Sequence, residues 1–433
     1  MKSFTKALFT MSTVALLGFG VAACSKPAPK TITLRLSLYK QEIAKQFKDL
    51  TDAFTAANPG IIINTEITPN DGGAAQAAAA AAGKLPDIIQ SPAYAADFQM
   101  AKQGYAVDLT NLPVLKDVNP DLLDGVTYQG KIIALPTDVG TLGILYNKAI
   151  FAKYNLQVPT TYLELQKVAE TLKKNKIIPF AGLLKENWSI GHFMELLHGS
   201  MLGAKGYDGL KGSAAIAKFA QDMNDGKADW GKVVDLKEMF RIMDWYHSNM
   251  SKNALNNAWN EEVAEFASGK AAMVVQGQWF INPTIAAEKA ANTNFEIGFF
   301  PFTWSNVAAE NKFFSSPDST FVLSTQSSPE KQAAAEKFLN FLATPEAIKI
   351  WTGEFKLVPA FKDADLSAMP PAFGDIAASE SKLGSYSWEF SLAPDPTWEN
   401  AMKNGALGYV LGKMTPVQVA DSINKSWKEN YKP

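Results

Sequence analysis

The chain has 433 residues, of which 47% are hydrophobic and 19% charged, with 41 basic residues against 43 acidic ones. That composition is globular, too long for one core and suited to two domains. It has no basic block that would mark a nucleic-acid partner, and beyond the first two dozen residues no apolar run long enough to cross a bilayer. Only Arg35 and Arg241 are arginine. Bidentate capture of carboxylate or phosphate normally uses that side chain, so the bias favours a neutral ligand. Ten tryptophans supply flat apolar faces in quantity.

At the N-terminus, Lys2 and Lys6 precede an apolar stretch, Ala7–Phe9 and Val14–Phe19, and the small residues Ala22 and Ala23 lead into Cys24. This order predicts a secretory signal over residues 1–23. Cys24 is the single cysteine of the chain, so it cannot form an internal disulfide or a cysteine-rich zinc site. Val21-Ala22-Ala23-Cys24 resembles the bacterial lipobox, which implies acylation of Cys24 and a membrane anchor on the extracytoplasmic side. Residues 24–30, with Pro27 and Pro29, read as a polar tether. Removing Lys2 and Lys6 takes the net charge from −2 to about −4.

The alternation in Thr31–Leu38 predicts a strand. Glu42–Ala57 carries Ile43, Phe47, Leu50 and Phe54 on one helical face, and Asn58-Pro59-Gly60 ends it. Ile61–Ile67 is a second strand, Asn70-Asp71 caps a helix over Ala74–Ala82, and Leu85–Ile89 is a short buried strand. Alternating strands and helices predict an α/β fold with a parallel or mixed sheet. Residues 134–140 read as an interruption before a strand over Thr141–Tyr146. From Tyr162 to Phe266 the pattern is mainly helical. Strands follow at Ala271–Val275, Phe295–Phe299 and Ser319–Ser324. Ser328-Pro329, Thr344-Pro345 and Thr415-Pro416 each start a helix, with proline at the first helical position.

Four segments in this order resemble the extracellular carbohydrate-binding proteins of ABC importers, related to maltose-binding protein. They are Gly83-Lys84-Leu85-Pro86-Asp87-Ile88-Ile89; Ala134-Leu135-Pro136 with Leu145-Tyr146-Asn147-Lys148; Gly269 through Trp279; and Ser328-Pro329-Glu330-Lys331 through Leu342. The resemblance implies a two-lobe periplasmic-binding-protein-like fold of type II, each lobe a mixed sheet flanked by helices, the lobes joined by hinge crossings. The expected lobes are 31–139 plus 298–344 and 140–297 plus 345–433, with crossings near 137–141, 296–302 and 343–353. Gly140 and Gly143 suit a segment that changes its backbone angles. A monomer is expected, binding a neutral oligosaccharide and serving the membrane subunits of a permease, with no nucleic-acid partner, no cofactor and no metal.

Within that frame the candidate ligand residues follow from chemistry. A sugar ring offers apolar C–H faces and hydroxyl edges, so it wants an aromatic plate beside fixed hydrogen-bonding groups. Gly277-Gln278-Trp279 supplies both at a strand-to-helix turn. Tyr39, Lys40, Gln41 and Glu42 follow the first strand, and Ser91 and Tyr94 follow the third, where loops of an open α/β sheet face a ligand. Asp138 can accept from two hydroxyls, and Asp318 is a weaker candidate. Trp188, Tyr386 and Trp388 are further stacking candidates. His192, Glu195 and His198 do not form a metal set, because the two histidines lie roughly 120° apart around the helix. A lipid-anchored glycoside hydrolase, which needs two carboxylates at a set separation, stays open as a rival. So does a binding protein for a peptide or polyamine, since Asp138 and Glu42 could serve a cation.

Overall fold

The computed structural model describes residues 31–68, 74–93, 95–389 and 396–430. The predicted lipid site at Cys24, the candidate Tyr94 and the cap at Asn70-Asp71 lie outside them. The first three strands, Ile32–Leu38, Ile61–Ile67 and Ile88–Pro92, are parallel neighbours joined through helices Ala44–Ala57 and Ala74–Ala81. The right-handed crossover rule makes this the arrangement expected for strands that alternate with helices. Two long strands then extend the sheet, Phe313–Leu323 antiparallel to Ile88–Pro92, and Leu135–Asn147 antiparallel to Phe313–Leu323. Ala271–Gly277 and Ile178–Phe180 complete the main path, and Ile297–Phe300 pairs with the far end of Leu135–Asn147.

The apolar residues collect in two separate regions. One core joins Leu34, Leu36, Phe47 and Phe54 to Phe321, Phe338 and Trp351. The other joins Leu142, Ile144, Phe180, Phe193 and Tyr246 to Phe302, Phe314 and Trp427. A further cluster on the opposite face of the same end holds Leu145, Phe266, Phe280, Phe299 and Phe313. Successive side chains of a strand point to opposite faces, which sends Ile144 one way and Leu145 the other. Leu135–Asn147 starts in the first core at Leu135 and ends in the second at Tyr146. Phe313–Leu323 returns, from Phe314 in the second core to Phe321 in the first.

Several sequence expectations change here. Residues 135–140 are strand, not an interruption: Pro136 pairs with Thr320 beside the register shift of the partner strand, where a missing N–H is tolerated. Phe299, Phe300 and Phe302 pack in the second region, so the chain changes core along Phe313–Leu323 and not near 296–302. Ala347, Ile348, Trp351 and Phe355 all belong to the first core, which moves the third change from 343–353 to between Phe361 and Ala372. Gly140, Gly143 and Gly298 all lie in strands and none has a positive φ. Close approach accounts for them. A Cβ would lie 2.8 Å from Asp318 Cβ at Gly140, 2.5 Å from the Phe313 ring at Gly143, and 2.2 Å from the Tyr146 ring at Gly298.

The helix starts hold. Ser328 accepts from Lys331 N, Thr344 from Ala347 N, and Thr415 from Gln418 N, each satisfying a first-turn donor. The 162–266 stretch forms Tyr162–Lys174, Asn187–Lys205, Ser213–Asn224, Leu236–Ser248 and Trp259–Ala267.

Candidate functional site

Between the two cores, where the long strands pass, lies a buried charged group. Lys40 follows the first strand and is 3% exposed. Its backbone N–H and that of Tyr39 both donate to Gln90 Oε1 at 3.2 Å, which turns the loop inward. Lys40 Nζ lies 2.5 Å from Asp138 Oδ2 and 2.5 Å from Asp318 Oδ2. Asp138 Oδ1 also accepts from Ser319 Oγ, and Thr137 Oγ1 lies 2.9 Å away. The register of Phe313–Leu323 shifts on both sides of Ser319, and Asp318 itself is skipped in the pairing with Leu135–Asn147. This bulge turns the side chain toward Lys40. Burial, with Asp138 alongside, pushes the Asp318 carboxyl up against the pull of Lys40.

Facing this group is an aromatic cluster from the second region. Trp279 is half-buried and lies over Gly277; a Cβ at 277 would meet its ring at 2.4 Å. Trp388 stands edge-on to Trp279 with ring centroids 6.0 Å apart, and its ring tip reaches Gly140, beside Asp318. His192 packs at 6.0 Å from Trp279, 5.7 Å from Trp388 and 5.6 Å from Trp188. Burial, with the charge of Lys403 nearby, pulls the His192 imidazole down to about 3, so it is neutral near pH 7. Glu186 fixes the outer rings: one carboxylate oxygen accepts from Trp188 Nε1 at 2.7 Å and the other from Trp259 N at 3.0 Å. The Gln278 amide donates to Val139 O on the strand that carries Asp138, and so links the two sides.

Trp188, Gly277, Gln278, Trp279 and Trp388 therefore meet, and Lys40, Asp138 and Asp318 meet opposite them; Trp388 and Gln278 are fully buried, so Trp188 and Trp279 present the open faces. Tyr39 borders the charged group, its hydroxyl donating to Asp318 O at 3.3 Å. Ser91 is buried beneath, with Thr320 Oγ1 3.3 Å from its carbonyl. Gln41 is exposed in a short 3-10 turn that also includes the Glu42 backbone. Tyr386 is corrected to a core residue. It is 2% exposed, packs tilted against Phe314 and sits against Gly203, so packing accounts for it. Asp138, expected to receive sugar hydroxyls, is fully buried and already takes three donors. Sequence reasoning passed over Trp259, His192 as an aromatic partner, and Gln90. The apolar spacing of the 187–205 helix was the available signal for His192, because it places that residue one turn after Trp188.

Residues 49–377 match the model of the bacterial extracellular solute-binding protein family, and the chain belongs to that family. It is 25% identical over 350 residues to the multiple sugar-binding protein of Streptococcus mutans, covering 79% of this chain and 80% of that one. It is 21% identical over 405 residues to the melibiose/raffinose/stachyose-binding protein MelE of Bacillus subtilis, covering 92% and 87%. Among solved structures, a chitin oligosaccharide binding protein superposes with a TM-score of 0.77 at 22% identity, over 93% of this chain and 99% of that one. RafE in complex with raffinose superposes at 0.74 and 20% identity, over 93% and 100%. No helix among the described residues is long and apolar enough to cross a membrane.

Proposed function

We propose that this chain is the substrate-binding protein of a sugar ABC importer, capturing a neutral oligosaccharide between two lobes and passing it to a membrane permease. The observation that carries the reading is the pair of half-buried rings Trp188 and Trp279, backed by the buried Trp388 and joined through Gln278 to a buried polar group on the crossing strands. Ring faces bind the C–H faces of a sugar. The lobes are the two core regions, with residues 135–147, 313–323 and 361–372 as the crossings between them. The two carboxylates at the junction share one lysine instead of standing apart with an open position between them, which favours capture over glycoside hydrolysis. Acylation of Cys24 with a diacylglyceryl group would hold the exported protein at the membrane, since two chains give stable anchoring where one does not.

Melibiose, raffinose, stachyose and chito-oligosaccharides form the test panel, with calorimetry for binding and mass analysis of the recovered sugar. One of them binds and is recovered intact, and the radius of gyration falls when it does. Cleaved product would turn the reading toward hydrolysis; binding of a polyamine in preference to every sugar would replace it. Cys24→Ala releases the protein from membranes, and full retention of that variant would remove the anchor.

A further inference from the structure

The segment that brings Trp388 to the junction is held by a contact unlike any other in the second core. His198, on helix Asn187–Lys205, is fully buried and stacks on Trp230 with ring centroids 4.0 Å apart and planes 10° from parallel. Its Nε2 faces the Trp230 carbonyl oxygen at 3.1 Å, and its Nδ1 faces Glu389 Oε1 at 2.5 Å. Glu389 is 2% exposed and directly follows Trp388.

The proton count decides what this contact is. A carbonyl oxygen only accepts, so Nε2 carries a hydrogen. A neutral imidazole protonated there has a bare lone pair at Nδ1, which would face a carboxylate oxygen. A bond across Nδ1···Oε1 therefore needs one more proton, on the imidazole or on the carboxyl. Either placement gives the pair the same total, and stacking on the Trp230 indole favours an imidazolium.

We propose that His198 and Glu389 hold one shared proton, and that this proton clasps the 385–389 segment against helix Asn187–Lys205 so as to position Trp388 at the junction. Neutral contacts also fasten the segment: Ser385–Tyr386 pairs in parallel with Phe313–Phe314, Trp388 N donates to Ser316 Oγ at 3.1 Å, Ser387 N to Ser213 Oγ at 3.0 Å, and Ser213 Oγ to Ser385 O at 3.4 Å. The rings packed on the pair, Phe219 and Trp230 on His198 and Phe314 at Gly199, carry no charge. The titratable groups on the surrounding elements are His192, Glu195 and Lys205 on the same helix and Tyr386 beside Gly203. Beyond them lie the Glu399–Lys403 pair against Gly191, the Lys218–Asp222 pair on helix Ser213–Asn224, and Asp229 beside Trp230. Glu389 and His198 are positioning residues and do not themselves face the ligand.

The glutamine variant separates this role from plain packing. A Gln amide N–H can donate to the bare Nδ1 of neutral His198 and keep both bonds without the extra proton. The readout is the indole N–H resonance of Trp388 in sugar-free, nitrogen-15-labelled protein, identified by its loss in Trp388→Phe. A far-downfield proton resonance coupled to His198 Nδ1 is present in the native protein and absent from Glu389→Gln and Glu389→Ala, while the Trp388 resonance stays in place in Glu389→Gln and is displaced in Glu389→Ala. Absence of the bridging-proton resonance from the native protein, or an unmoved Trp388 resonance in Glu389→Ala, overturns the proposal. The resonance needs no sugar, so the result stands apart from the sugar-binding reading on which the role of Trp388 rests. Raffinose is then the probe for the site. Glu389→Ala weakens its binding about tenfold and Glu389→Gln leaves it within about twofold. Raffinose binding equal in all three proteins would confine the clasp to folding, and a native protein that binds no sugar of the panel would count against the sugar reading alone.

Discussion

The two sides of the junction are built on opposite principles. On the side of the crossing strands, Lys40, Asp138, Asp318 and Ser319 bond one another, and what they present outward is mostly finished hydrogen bonding. On the aromatic side, Trp188 and Trp279 remain half-buried, backed by bare backbone and a neutral imidazole. Ion pairs that are already complete hold geometry, whereas ring faces that are only half-covered still have free energy to gain from a partner. On the reading proposed above, the charged residues shape the junction and the half-buried tryptophans are what a sugar would meet. An acid in a cleft is thus a poor guide to a ligand contact until its own donors are counted.

The comparison breaks most sharply at Lys40. Lys40→Met leaves two buried carboxylates facing each other, and folding stability falls by about 3–5 kcal/mol, measured by urea unfolding. Stability within about 1 kcal/mol of native would mean that water reaches the junction and the group is not a structural pair. Next in size, Trp279→Ala loses about 2–4 kcal/mol of sugar binding, read by calorimetry, while its unfolding midpoint stays close to native. The reverse pattern, with stability lost and affinity kept, would exchange the roles of the two sides.

A smaller effect sharpens the contrast through pH. Beneath the charged side, burial pushes the Asp97 carboxyl up to about 7, against hydrogen bonds from Ser91 and Thr320. Its folded value lies above its unfolded one, so its contribution is full below about pH 4 and is lost as pH rises toward 7. On the aromatic side His192 is depressed from 6.5 to about 3, so its contribution is full above about pH 6.5 and is lost as pH falls toward 3. The expected slopes have opposite sign, each on the order of 1 kcal/mol per pH unit. Asp97→Asn should remove the first slope and His192→Gln the second in unfolding curves across that range. A variant with the native slope would show that its group titrates alike in both states.

Much of the architecture could be read before folding because its signals are local. Ser328-Pro329, Thr344-Pro345 and Thr415-Pro416 mark helix starts through neighbours three residues away, and the alternation at residues 31–38 marks a strand. Gly277-Gln278-Trp279 was legible for the same reason. The misses share a different cause. Lys40 meets Asp138 across 98 residues and Asp318 across 278, and nothing near Lys40 records either partner. Pro136 reads as a breaker because its place in the ladder depends on a strand nearly two hundred residues later. Tyr386 and Trp388 are two residues apart and look alike in sequence; only the packing of Phe314 and Gly203 on one and Trp279 on the other tells them apart.

Gly277 also limits how this aromatic face can diverge. With only 2.4 Å between an added Cβ and the indole above it, the ring at 279 rests on a floor that admits no side chain. Any lineage that enlarges residue 277 while keeping tryptophan must tilt the plate and lose its aim. A shrunken residue 279 is the step that opens room for change at 277. The order of mutational steps is therefore constrained: change begins at position 279, and a glycine-to-alanine change at 277 becomes neutral only afterwards.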